Sequence, residues 1–146
     1  MNYVKHYREL EVYKTQRLLS RAVFMESRSF PKEEQYSLTD QIRRSSRSIG
    51  AQIAEAWAKR LYPKHFISKL TDADGEQLET QHWLTEALDC GYITVEKQTE
   101  LTQHCESIGR MLGAMIRKAD SFAGTEFLLR EGEAEYLAGD VECGDR

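Results

Sequence analysis

The sequence predicts an all-α fold: an antiparallel up-down-up-down four-helix bundle followed by an acidic, mostly disordered C-terminal tail. Three observations carry that prediction. Apolar residues recur at helical spacing in four successive stretches, and no stretch alternates apolar and polar residues as a half-buried strand would. The only two prolines, Pro31 and Pro63, fall where those periodicities lapse. A length of 146 residues with 40% hydrophobic content suits one domain with a moderate core and is too apolar for wholesale disorder.

The first helix is expected from Glu9 to about Phe30, because Val12, Leu19, Val23 and Phe30 are spaced so as to share one face. A second follows from Leu38, Ile42, Ile49, Ile53, Ala56 and Trp57. Ser37 is placed to cap its start, and Asp40 favours the positive end of its dipole. The third helix starts after Pro63 and carries Phe66, Leu70, Ala73, Leu78, Leu84 and Leu88 as far as Gly91, whose missing Cβ suits a left-handed stop. Gly75, inside that helix, is expected to mark a close approach of another backbone. In the fourth, Leu101, Cys105, Ile108, Leu112, Met115 and Ala119 alternate spacings of four and three, the pattern of a helix packed on near-parallel neighbours. Four helices on short loops make a bundle over residues 1–119. Leu10, Leu18, Phe24 and Met25, with Tyr13, lie off the main stripe of the first helix, and Met111 and Ile116 lie beside that of the fourth. These second apolar faces predict self-association.

Residues 120–146 form the tail. Phe127-Leu128-Leu129 and Tyr136-Leu137 are apolar enough to dock. The formal net charge of −4 seems to oppose a nucleic-acid partner, but it sums unlike parts. The tail holds eight acids and two bases, residues 1–62 hold twelve bases and seven acids, and residues 63–119 hold six bases and nine acids. The first half of the body is therefore basic. No apolar run reaches the roughly 18–20 residues of a membrane span, and the amino terminus lacks the apolar core of a secretory signal, so a cytoplasmic protein is expected. Cys90, Cys105 and Cys143, odd in number and widely spaced, fit reduced thiols better than a disulfide framework.

No catalytic, metal or cofactor motif stands out. His104 and Cys105 are adjacent on a helix and diverge, and His82 and Cys90 lack spaced partners. Asp72-Ala73-Asp74-Gly75 has its glycine too early for a calcium loop. Glu76, Glu79 and Glu86 line one side of the third helix and read as a solvated face. Arg60 and His65 have the Arg-x4-His spacing that resembles metal-independent ribonucleases of the HEPN superfamily, which implies an enzymatic alternative. Leu61 and Pro63 depart from that pattern, and a loop arginine beside a loop histidine is the favoured reading. The basic residues are more coherent. Lys14, Arg17, Arg21 and Arg28 form a stripe on the first helix, Arg43, Arg44 and Arg47 cluster early in the second, and Lys59, Arg60, Lys64 and His65 surround the second connection. Lys14, Arg17, Arg21, Arg43, Arg44, Arg47, Lys59, Arg60 and Lys64 are the candidate nucleic-acid contacts, since clustered guanidinium and ammonium groups attract phosphate independently of base sequence. The competing reading is a solvated basic face in which Arg43 or Arg47 pairs with Glu76 or Glu79.

Six blocks, in order, carry a resemblance. They are Tyr7-Arg8-Glu9-Leu10-Glu11-Val12-Tyr13, Phe30-Pro31-Lys32-Glu33-Glu34, Leu38-Thr39-Asp40-Gln41-Ile42-Arg43-Arg44-Ser45, Ile49-Gly50-Ala51-Gln52-Ile53-Ala54-Glu55-Ala56, Glu79-Thr80-Gln81-His82-Trp83-Leu84 with Cys90-Gly91-Tyr92-Ile93, and Ile108-Gly109-Arg110-Met111-Leu112. Over residues 7–119 they resemble the four-helix-bundle proteins encoded in intervening sequences of 23S ribosomal RNA genes. The resemblance implies a homopentamer without enzymatic activity. It also implies a relation to the accessory proteins of diversity-generating retroelements, and hence RNA or DNA and a reverse transcriptase as partners. Where that family has a glycine and a basic stretch at the end of the second helix, this chain has Ala56-Trp57-Ala58-Lys59-Arg60, so that helix is expected to continue without a flexible end.

Overall fold

A computed structural model describes residues 4–123. The tail expected over residues 120–146, with its two apolar segments and Cys143, lies outside the described residues apart from Asp120–Ala123. A 3-10 turn, Tyr7–Glu9, leads into α1 (Glu11–Ser27), and a second, Lys32–Glu34, leads through a π turn, Gln35–Thr39, into α2 (Asp40–Ala58). α3 (Pro63–Asp89) and α4 (Val95–Arg117) complete the bundle. Each helix packs on its neighbours in sequence, α1 closes the ring against α4, and diagonal pairs barely meet. One end of the bundle gathers the start of α1, the end of α2, the start of α3 and the end of α4. The connection between α1 and α2 and that between α3 and α4 lie at the other.

The helix limits follow from local chemistry. Pro63 is the first residue of α3, where its missing N–H costs nothing. α3 stops in a Schellman turn: Gly91 adopts φ +78°, its N–H bonds Leu88 O at 2.9 Å, and the Tyr92 N–H reaches Ala87 O at 2.9 Å. Thr94 caps α4 by accepting from the Lys97 amide at 3.0 Å. Ser37 does not cap α2 as expected. It sits inside the π turn and donates to Glu34 Oε1 at 2.6 Å, so the chain is already coiled before α2 begins. α2 does continue to Ala58, with Trp57 buried.

Val12, Leu19 and Val23 of α1 meet the predicted seams of α2 and α4, all of which are buried. Leu10, expected on a second face, is also buried beneath the first turn of α1. α3 differs from expectation. Leu78 is 55% exposed, and Gln77 and Thr80 take the inward positions around it. Thr80 meets Ser45 of α2 hydroxyl to hydroxyl at 2.8 Å while bonding Glu76 O at 2.9 Å, which satisfies polar atoms that burial would otherwise penalise. Gly75 faces open space rather than another backbone. The close approaches are at Gly109, where a Cβ would lie 2.9 Å from Gln77 Nε2, and at Gly50. After Lys118 the chain resumes a helical turn over residues 119–123, and Phe122 packs against Phe66 with ring centroids 5.1 Å apart.

Candidate nucleic-acid interface

Antiparallel packing sets the end of α1 beside the start of α2, and this juxtaposition organises the basic residues. Arg43 and Arg47 are one turn apart on the α1 side of α2. Arg43 Nε donates to Ser27 Oγ at 2.7 Å, and its guanidinium lies 4.7 Å from the centre of the Phe24 ring. Arg47 approaches the same ring at 5.7 Å. Phe24, read from sequence as part of a self-association face, is 38% exposed and lies beneath two guanidinium groups. The sequence signal for this was available. Arg17, Arg21, Phe24 and Arg28 are spaced four, three and four, so an aromatic interleaves the cationic stripe. Among the described residues, Arg17, Arg21, Arg43 and Arg47 make no ion pair with a carboxylate, whereas Lys14 reaches Glu11 at 3.4 Å.

Arg44 belongs to a different surface. It points toward α3, bonds Glu79 and reaches Glu76 at 3.3 Å, so the pairing expected of Arg43 or Arg47 falls to it. The bond to Glu79 holds the guanidinium even more firmly in its charged form. Partial burial pushes the Glu79 carboxyl up, but hydrogen bonds from Trp83 and Arg44 outweigh this and leave it below the ordinary carboxylate value. Lys59, Arg60 and Lys64 lie at the far end of the bundle. Arg60 stacks on Trp57 at 4.0 Å and donates to that residue's carbonyl at 2.7 Å, while His65 sets its ring edge-on to Tyr62 at 6.1 Å.

Toward that end, the α1–α2 seam opens into a cavity of about 300 Å³ lined by Tyr7, Tyr13, Gln16, Arg17, Arg47 and Gly50, among others. Tyr7 and Tyr13 meet edge to face at 4.9 Å. Sequence reasoning missed this site because its walls come from a 3-10 turn and two helices, and neither Gln16 nor Gly50 carries any signal alone. No helix of the described residues is long and apolar enough to cross a membrane, and none of their His, Cys, Asp and Glu side chains cluster as a metal site would require.

The family model for the 23S rRNA-intervening sequence protein matches residues 8–114. The chain belongs to that family. A solved structure of a protein of unknown function from the S23 ribosomal protein family of Bacteroides thetaiotaomicron is similar at 28% identity, covering 73% of this chain and 95% of that one, with a TM-score of 0.65. No curated protein matches the chain. Neither the family description nor that of the solved relative names an enzymatic activity.

Proposed function

We propose that this S23-family chain is a non-enzymatic, oligomeric RNA-binding bundle whose contact surface is the α1–α2 face. The observation that carries the reading is the Phe24 ring beneath Arg43 and Arg47, continuous with Arg17 and Arg21 and free of carboxylate partners among the described residues. An aromatic platform flanked by guanidinium groups is what sequence-tolerant binding of single strands uses: phosphates meet the cations and bases stack on the planes. Arg44, neutralised by α3, lies outside that surface.

Anisotropy titrations of a labelled single-stranded RNA against salt test this, with full-length protein and a chain ending at Ala123. Arg43→Ala/Arg47→Ala lowers the slope of log affinity against log salt by about 1.4, since each phosphate that a cation neutralises contributes about 0.7, and Arg44→Ala leaves it unchanged. Absence of binding at low salt by both chain lengths, or a slope indifferent to the double substitution, defeats the reading. The same RNA stays intact on incubation. Cleavage that disappears in His65→Ala would establish the ribonuclease alternative.

A further inference from the structure

One residue lining the cavity in the α1–α2 seam carries a polar atom that the fold leaves unanswered. Gln16 is 3% exposed, and its Nε2 donates to Ser46 O at 3.1 Å, which fixes the other amide atom, Oε1, as an acceptor. That oxygen has no hydrogen-bond partner. It lies against Gly50, where a Cβ would come within 2.5 Å of it, and both residues line the cavity. A buried carbonyl left without a donor is costly, so a ligand offering an N–H or O–H gains there what the protein alone forgoes.

The rest of the lining restricts what that ligand can be. It contains no acidic side chain, and Arg17 and Arg47, both exposed, supply cationic donors. Tyr7 and Tyr13 supply aromatic surface. An N–H donor for Gln16, a flat group for the tyrosines and an anion for the arginines are combined in a nucleotide, and the volume is at the lower end of small-molecule pockets. We propose that this cavity binds one nucleotide unit, its base presenting an N–H to Gln16 Oε1 and its phosphate meeting Arg17 and Arg47. The inference deepens the RNA-binding reading and rests on it for the choice of a phosphate-bearing ligand. Free 5′-mononucleotides and a residue within an RNA strand share this chemistry.

The test compares two labelled probes of about ten nucleotides, oligoadenylate and an abasic ribose-phosphate strand of the same length, on the full chain. The wild type binds the adenylate strand more tightly, with about a factor of ten of that preference supplied by the pocket's hydrogen bond and stacking contact and the rest by stacking on Phe24. Ala54→Leu, at a half-buried lining position, obstructs the cavity while keeping every arginine, and it weakens adenylate binding about tenfold, the pocket's share, without changing affinity for the abasic strand. Gln16→Leu does the same, and circular dichroism verifies the fold of both variants. Competition by 5′-AMP, with none by ribose 5-phosphate, identifies free nucleotides as ligands; a loss of adenylate affinity in Ala54→Leu without such competition identifies a strand residue. Both outcomes support the pocket. An adenylate affinity that Ala54→Leu leaves unchanged overturns it while leaving RNA binding through the Phe24 platform and the arginines standing. Failure of both strands alongside 5′-AMP binding that Ala54→Leu abolishes would keep the pocket and remove the RNA reading. Failure of all three ligands removes both.

Discussion

A methyl group added at Gly75 meets nothing within 4 Å, whereas one added at Gly91 sits on a backbone with φ +78°. The two alanine substitutions therefore act in opposite directions. Gly75→Ala relieves the entropic cost of glycine inside α3 and stabilises by up to about 1 kcal/mol. Gly91→Ala places a Cβ in the left-handed region and destabilises by about 1–2 kcal/mol. Urea unfolding of the two variants measures both, and a common sign would contradict the geometry. The cysteines offer a second contrast. Cys105 is buried in the α4 seam, where burial pushes its thiol up to about 12, and Cys90 is exposed at the end of α3. The thiolate is the reactive form, so iodoacetamide at mildly alkaline pH labels Cys90 in the native protein and reaches Cys105 only after unfolding, as peptide mass mapping would record.

The connections behave as built elements rather than slack chain. The Tyr92 hydroxyl donates to Glu34 Oε2 at 2.8 Å, joining the Schellman turn of α3 to the 3-10 turn before α2, and Phe30 packs on the Tyr92 ring at 5.6 Å. The Ser37 hydroxyl and, after it, the Tyr92 phenol hold the Glu34 carboxyl below its ordinary value of 4.5. A depressed folded value stabilises above the unfolded one and is lost as pH falls through the folded one. Wild type therefore loses stability faster than Glu34→Gln as pH drops below about 4.5. Tyr92 shifts the other way, pushed up to about 12 by its bond to Glu34, so its contribution is complete below pH 10 and disappears as pH rises through 12. An absorbance titration shows a late-titrating component from Tyr92 that returns toward 10 in Glu34→Gln. Among the helices, α2 and α4 were legible because their inward positions are apolar. The face of α3 was misread at Leu78 because Gln77 and Thr80, polar by type, are buried through partners on α2 and within α3 that only the folded packing supplies. The π turn left no sequence mark, since its residues would also suit an ordinary helical start.

At the scale of the whole molecule, Leu18 and Met25, spaced seven apart on α1, are each more than half exposed, and so is Leu78 on α3. We expect the full chain to sediment as a homo-oligomer at micromolar concentration, with Leu18→Glu/Met25→Glu yielding a smaller species of unchanged helicity; a wild-type monomer would remove assembly from the proposal. The basic half of the body was legible in the sequence as counted charge. Which arginines remain available was not, because Arg43 and Arg44 are consecutive and only the helix phase sends one toward Phe24 and the other toward Glu79. The closure of α1 against α4 has a topological consequence. Since α1 begins and α4 ends at the same end of the bundle, a glycine-serine linker long enough to cross that end joins Ala123 to Val4, and the chain can be reopened between Lys59 and Tyr62. Such a circular permutant keeps all four helix interfaces and every residue of the α1–α2 seam, because the order in which the helices are strung is no part of what they recognise in one another.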